Sequence, residues 1–244
     1  MRVILIATTI FYPELVPGYR PHGRAGLGDQ RHAAPGEDAF ASDADELAEA
    51  AGRLCYLSWN RPNPETATNR GYLANIIRQE HFSVLEHASA TFYIDGVSRN
   101  FTHELIRHRH LSFSEISQRY VDVSGAPFVH HPGYAEVAEH FEGLESHTLG
   151  GARDLYKAVV DSLMSRGYKR KEARQAARHI LPGGLETKII VTGNMRAWRE
   201  VLKKRLSPKA DREFQLVANE ILKNLRRIAP NSFQDFDLTD AQEA

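Results

Sequence analysis

Apolar side chains recur along this sequence at two spacings, every second residue in short runs and every third or fourth in longer ones, and the switch between them predicts the elements. Val3 to Thr8 is an apolar run of strand length, after which Pro13 to Asp38 loses all periodicity to Gly, Pro, Arg and His. Residues 13–42 are expected to form a flexible loop. From Asp43 a helical pattern begins, with Leu47, Ala50, Ala51 and Leu54 on one face and Ser42 or Asp43 placed to cap the first free N–H groups. It should stop near Pro62 and Pro64. A second helix, about Arg70 to Glu80, turns Leu73, Ile76 and Ile77 inward. Ala88 to Ile94 alternates strictly and reads as a half-buried strand.

Val97, Phe101, Leu105 and Ile106 predict a further helix that delivers the run Arg107 to Tyr120, too polar for the core. Leu149 to Met164 and Lys169 to Ile180 follow as helices, the second ended by Leu181-Pro182-Gly183-Gly184. Thr187 to Thr192 reads as a strand, and Gly193-Asn194 turns the chain into a helix from Met195 to Leu206. A last helix spans Asp211 to Ile228, before Pro230. This mixture predicts an α+β fold, a mixed and mainly antiparallel sheet flanked by helices.

The 244 residues suit one hydrophobic core, so a single domain over 1–244 is expected, and a 42% hydrophobic and 25% charged composition is that of ordinary globular proteins. Lys+Arg and Asp+Glu are each 31, so no global field would attract a long polyanion, and anion binding has to be local. The lone Cys55 excludes an internal disulfide, and the opening residues are too short and weakly basic for a signal peptide. No apolar run approaches the roughly 20 residues of a membrane helix. A cytoplasmic protein with small-molecule ligands, no membrane and no nucleic-acid partner is the expectation.

The candidate chemistry concentrates in Arg107-His108-Arg109-His110-Leu111-Ser112-Phe113-Ser114-Glu115-Ile116-Ser117-Gln118-Arg119-Tyr120. Guanidinium forks pair with phosphate oxygens, and the hydroxyls and carboxylate suit a sugar or base, so a nucleotide is the natural ligand. The competing reading is a solvated charged loop, against which Leu111, Phe113 and Ile116 supply apolar anchors. Upstream, His81 to His87 holds two histidines and a glutamate, which serve equally as satisfied core groups or as ligand contacts. The histidines of His103-Glu104-Leu105-Ile106-Arg107-His108 are five apart rather than four, which breaks the geometry of the HExxH zinc helix, and no metal is expected. Arg170, Arg174 and Arg178 share a helix face, as either a solvated stripe or a phosphate cradle. Thr192 to Trp198 joins a strand to a helix whose N-terminus favours anions, with Asn194 and Arg196 there and Arg205 two turns beyond Trp198.

Arg107-His108-Arg109, seven residues and then Ser117 resembles the RHR-x7-S signature of the flavin-dependent thymidylate synthases. The likeness continues through His81 to His87, Arg119-Tyr120, Ala176 to Pro182 and Thr192 to Arg205, in that family's order, and covers roughly Leu47 to Phe236. It implies that Ser83, Arg107, His108, Arg109, Glu115, Asn194, Met195, Arg196 and Glu200 bind FAD. It further implies that Glu104, Leu105, Ile106, Arg107, Glu115, Ile116, Ser117, Gln118, Arg119, Arg205 and, from a neighbouring chain, Arg178 bind dUMP. Arg205 corresponds to the arginine that ionises N3 of the uracil ring.

The resemblance also implies a homotetramer with shared active sites, and reductive methylation of dUMP to dTMP with NADPH as reductant and 5,10-methylenetetrahydrofolate as carbon donor. No covalent cysteine is needed, and Cys55, in a helix rich in Leu and Ala, reads as structural. Two positions depart from the family pattern. Ser114 stands where Asn is common, and Glu200 where His or Asn is usual, so Glu200 is expected to avoid flavin phosphates and to point elsewhere or toward the isoalloxazine or ribose. Two alternatives remain on sequence grounds, a different flavin or nucleotide enzyme on the same scaffold and a nucleic-acid-binding module, the latter disfavoured by the zero net charge.

Overall fold

A computed structural model describes residues 1–22, 41–61 and 63–238. Its frame is a four-stranded sheet in the order β1-β2-β4-β3, from β1 (Arg2–Thr8), β2 (Ser89–Ser98), β3 (Ser112–Glu115) and β4 (Glu186–Asn194). Each of the three pairings is antiparallel, and eight helices accompany the sheet among the described residues, which is an α+β fold. The helices are α1 (Asp43–Tyr56), α2 (Asn69–Arg78), α3 (Arg99–Leu105), α4 (Pro132–Ala135), α5 (Glu142–Ser165), α6 (Arg170–Ala177), α7 (Met195–Arg205) and α8 (Arg212–Ile228). Side-chain caps set several starts: Ser98 accepts from the Phe101 N–H, Asn194 from Ala197 and Asp211 from Phe214.

The period-2 alternation of β2 and β4 sends Ala90, Phe92, Ile94, Ile189 and Val191 into one core with Trp198, Val201 and Leu202 of α7 and Phe214, Ile221 and Leu225 of α8. The opposite sheet face is mixed, with one apolar row between a charged row, Arg2, Asp95 and Lys188, and the pair Thr91 and Thr192. Ile4, Tyr93 and Ile190 stand in one cross-strand row, and Ile4 and Ile190 are exposed in the single chain.

Three expectations are corrected by tertiary contacts. The polar run 107–120 is not all loop, because Ser112 to Glu115 forms an edge strand that turns Phe113 inward beside Val191. In α1 the expected apolar face packs inward at Leu47, Ala50 and Ala51 but not at Leu54, and charged groups are buried beside it. Asp45, Glu46, Glu49 and Arg53 are almost fully buried, whereas Leu54 is 57% exposed. Glu49 shows how the buried charge is held: Arg53 Nε donates to it at 2.5 Å, Arg61 Nε at 3.2 Å and Asn69 Nδ2 at 2.8 Å, with His22 Nε2 at 3.1 Å. Burial alone would raise the Glu49 carboxyl, but hydrogen bonds from His22 and Arg53 hold it below the usual range. Asp45 likewise accepts from the backbone of Asn231 and Ser232. Finally, residues 13–22 of the expected flexible loop are docked, with a short 3-10 turn at Pro13–Leu15 and Tyr19 buried between Phe11 and Trp59. The remainder of that loop, 23–40, lies outside the described residues.

Candidate active site

Strand order decides what meets. β3 lies beside β4 with Ser112 opposite Thr192, so the turn Arg107 to Leu111, between α3 and β3, is brought against the β4–α7 junction at Gly193-Asn194. The approach is close enough to require glycine. A Cβ on Gly193 would fall 2.3 Å from Leu111 Cδ2 and 3.2 Å from Trp198 Nε1.

Between these segments opens a cleft of about 580 Å3, within the usual range for ligand sites, lined by Arg107 to Leu111, Glu86, Asn194, Arg196, Ala197, Glu200 and Lys204. Four side-chain cations and two histidines face two carboxylates. The pairing is uneven: Arg196 Nη1 binds Glu86 Oε1 at 2.5 Å, whereas Arg107, Arg109 and Lys204 make no ion pair among the described residues. Unpaired cations gathered in a concavity mark an anion site, and the N-terminus of α7 adds its partial positive charge.

Arg205 is not among the residues lining the cleft and lies behind His108, which is. Its Nε donates to His108 Nε2 at 3.0 Å, its Nη1 to Glu104 Oε2 at 2.5 Å, and its guanidinium lies 4.4 Å from the Phe214 ring centroid. The aromatic partner is therefore Phe214; Trp198 is fully buried and donates to the Ala90 carbonyl. Nη2 of Arg205 has no hydrogen-bond partner among the described residues. By accepting from Arg205, His108 Nε2 must be unprotonated, and burial, then Arg205, Lys204 and Arg107, push the imidazole down to about 4. His108 is thus a neutral acceptor that orients a cation.

Glu104 in turn faces a second cavity of about 240 Å3 with Phe128, His131 and Tyr134. Glu115 is fixed from three sides, by Thr102 Oγ1 at 2.8 Å, Thr187 Oγ1 at 3.0 Å and Arg99 Nη1 at 3.1 Å. The following turn is tied locally, since the Ser117 carbonyl accepts from Tyr120 and Val121 and the Ile116 N–H donates to Lys188. Arg119 Nε is buried without a partner.

The expected site residues therefore separate into groups. Arg107, His108, Arg109, Asn194, Arg196 and Glu200 share the main cleft. Ser83 lies in an adjoining cleft of about 410 Å3 with His81, Tyr56 and Cys55, linked to the first through Arg196. Cys55, read from the sequence as structural, is exposed there, with its thiol donating to the Ala51 carbonyl at 3.4 Å. The side chains of Leu105 and Met195 are in the core, and the Met195 N–H is spent on the Ala88 carbonyl. Ile106 is exposed, and Gln118 is outside every cleft described above. Arg178, which caps α6, does not line the main cleft.

Glu200 also lines a third cleft beside Arg199 and Phe236, which puts it on the partition between two concavities. Lys204 lines the main cleft without having been singled out from the sequence, and Glu86 and His110 line it from within the two candidate runs without having been given a ligand. The signal for Lys204 was present, because Arg196, Glu200 and Lys204 recur at helical i, i+4, i+8 spacing on α7. No group of three or more His, Cys, Asp or Glu among the described residues is arranged to hold a metal ion, and no helix among them is long and apolar enough to cross a membrane.

Residues 39–231 match the protein family described as Thymidylate synthase complementing protein. Over 220 residues the chain is 47% identical to the flavin-dependent thymidylate synthase of Mycobacterium tuberculosis, covering 84% of this chain and 86% of that protein. It is 46% identical over 219 residues to the enzyme of the same name from Mycobacterium avium, with the same coverage. A third similar protein of that name, from Mycolicibacterium vanbaalenii, is 46% identical over 215 residues, again at 84% and 86%.

Proposed function

Because this chain belongs to the flavin-dependent thymidylate synthase family, we propose that it methylates dUMP to dTMP with FAD as cofactor, NADPH as reductant and 5,10-methylenetetrahydrofolate as carbon donor. The observation that carries the reading is the cleft with three unpaired cations, Arg107 and Arg109 on the turn before β3 and Lys204 on the last turn of α7. A diphosphate fits that charge arrangement, and a neutral cofactor would leave it uncompensated.

Arg107, Arg109, Asn194 and Arg196 would hold the FAD, with His108 and Glu200 on the same walls and Ser83 in the adjoining cleft. Bound there, the flavin supplies the two-electron redox chemistry between NADPH and the transferred carbon. The uracil nucleotide is assigned to Glu104, Glu115, Ser117 and Arg119, with Arg178 given by a neighbouring chain. Arg205 is the catalytic group. His108 and Glu104 fix two of its nitrogens and leave Nη2 as a donor, so a uracil ring set against it has its N3 anion favoured. That charge flows toward C5, the carbon that must attack the methylene group. No cysteine nucleophile enters this scheme.

A cytoplasmic homotetramer with shared sites completes the proposal, supported by the exposed row of Ile4 and Ile190. The test is the rate at which NADPH bleaches protein-bound flavin under anaerobic conditions. Bleaching accelerated by dUMP is expected; a purified protein that takes up no FAD overturns the proposal.

A further inference from the structure

The main cleft is not uniformly positive. At one end Arg196 is neutralised by Glu86, 2.5 Å away, and Glu200 follows one turn later on the same helix row. Beyond Glu200 the compensation stops. Lys204, one further turn along, lines the cleft with Arg107 and Arg109, and none of the three has an ion-pair partner among the described residues. Its ammonium is exposed at the wall and close enough to the imidazole of His108 to act on it, as Arg107 does. Arg205, its chain neighbour, is already paired with Glu104. The excess positive charge is therefore concentrated where Lys204 meets the Arg107-His108-Arg109 turn.

We propose that Lys204 is a cofactor-binding residue of this protein, its ammonium joining Arg107 and Arg109 to bind the diphosphate of the flavin dinucleotide, while Glu200 keeps that diphosphate from the Arg196 end. This rests on the flavin reading above and adds to it a residue outside the sequence signature that supports that reading. The separation of charges follows from helix geometry. Arg196, Glu200 and Lys204 are about one turn apart, so a carboxylate stands between one neutralised cation and one free cation. An anion in the cleft is repelled at the middle position and attracted at the last. A lysine serves such a site as a point charge, without the planar fork that Arg107 and Arg109 contribute.

The experiment titrates the full-length apoprotein with FAD and, separately, with riboflavin, which has the same ring system and no phosphate, following flavin fluorescence. Lys204→Met is expected to weaken FAD binding about tenfold, the scale of one lost charge-assisted contact, and to leave riboflavin binding unchanged. Lys204→Arg, which keeps the charge, is expected to stay within about twofold of the parent. Equal FAD affinity in parent and Lys204→Met protein overturns the assignment, as does an equal loss for riboflavin. A parent protein that binds neither flavin brings down the flavin reading itself, and this assignment with it; a parent that binds FAD beside an unaffected variant overturns the role of Lys204 alone.

Discussion

Arg205 shows how a cation can be held in place and still be available. Two of its nitrogens are fixed, by a carboxylate of α3 and by a neutral imidazole, and its flat face rests on Phe214. The arrangement depends on His108 staying uncharged, since an imidazolium would lose its acceptor and face three neighbouring cations. The consequence for stability has a definite sign. The folded imidazole is depressed from the ordinary 6.5 to about 4, so between those values the unfolded chain takes up a proton that the folded chain refuses. This contribution to stability is present above pH 6.5 and is lost as the pH falls toward 4. Melting temperatures measured across that window should decline more steeply for the parent than for His108→Gln, in which the side chain still accepts a hydrogen bond but does not titrate. Parallel declines would show that His108 is not held neutral. The RHR triplet is conspicuous in the sequence, but its opposite roles, two unpaired cations around one acceptor, arise only when α7 brings Lys204 and Arg205 alongside.

At the scale of elements, the sequence pattern located β2, β4, α2, α7 and α8 closely, because their apolar periodicity coincides with the face that is buried. In α1 it placed the helix and three of its four inward positions, Leu47, Ala50 and Ala51, but missed Leu54 and the buried charged groups for a physical reason. Hydrophobic spacing identifies an apolar face, but Glu49 and Asp45 are buried against partners from residues 22, 61, 69, 231 and 232, none local to the helix. The short strand β3 was hidden in a polar run, since it is an edge strand with a single inward aromatic, Phe113. Its pairing is what carries the RHR turn to the start of α7. The contact between those two elements passes through Gly193, where an added methyl would press on the buried Leu111. Gly193→Ala is therefore expected to weaken FAD binding about three- to tenfold, with far-UV circular dichroism unchanged, an effect on the order of 1 kcal/mol. Unaltered FAD affinity would mean that the turn and the helix N-terminus need not approach this closely.

For the whole molecule, the unresolved burial is on the outside. Ile4 and Ile190 are about 40% exposed on the sheet face opposite the core, in one row with Tyr93. Such a row is characteristic of surfaces covered by another chain, and a second copy seated there is the arrangement the shared-site proposal requires. The expected particle has four times the 27.5 kDa of one chain by light scattering, and Ile4→Lys with Ile190→Lys should reduce that mass and abolish activity together. Full activity in a monomeric double variant would contradict shared sites.

The most direct measurement follows dTMP by chromatography after the protein is mixed anaerobically with dUMP, 5,10-methylenetetrahydrofolate and NADPH, with and without FAD, for the parent and Arg205→Ala. The account predicts dTMP only when FAD is present, and a rate at least about a hundredfold lower for Arg205→Ala although that variant still binds FAD. Formation of dTMP at the parental rate by Arg205→Ala, or by parent protein stripped of flavin, would contradict it.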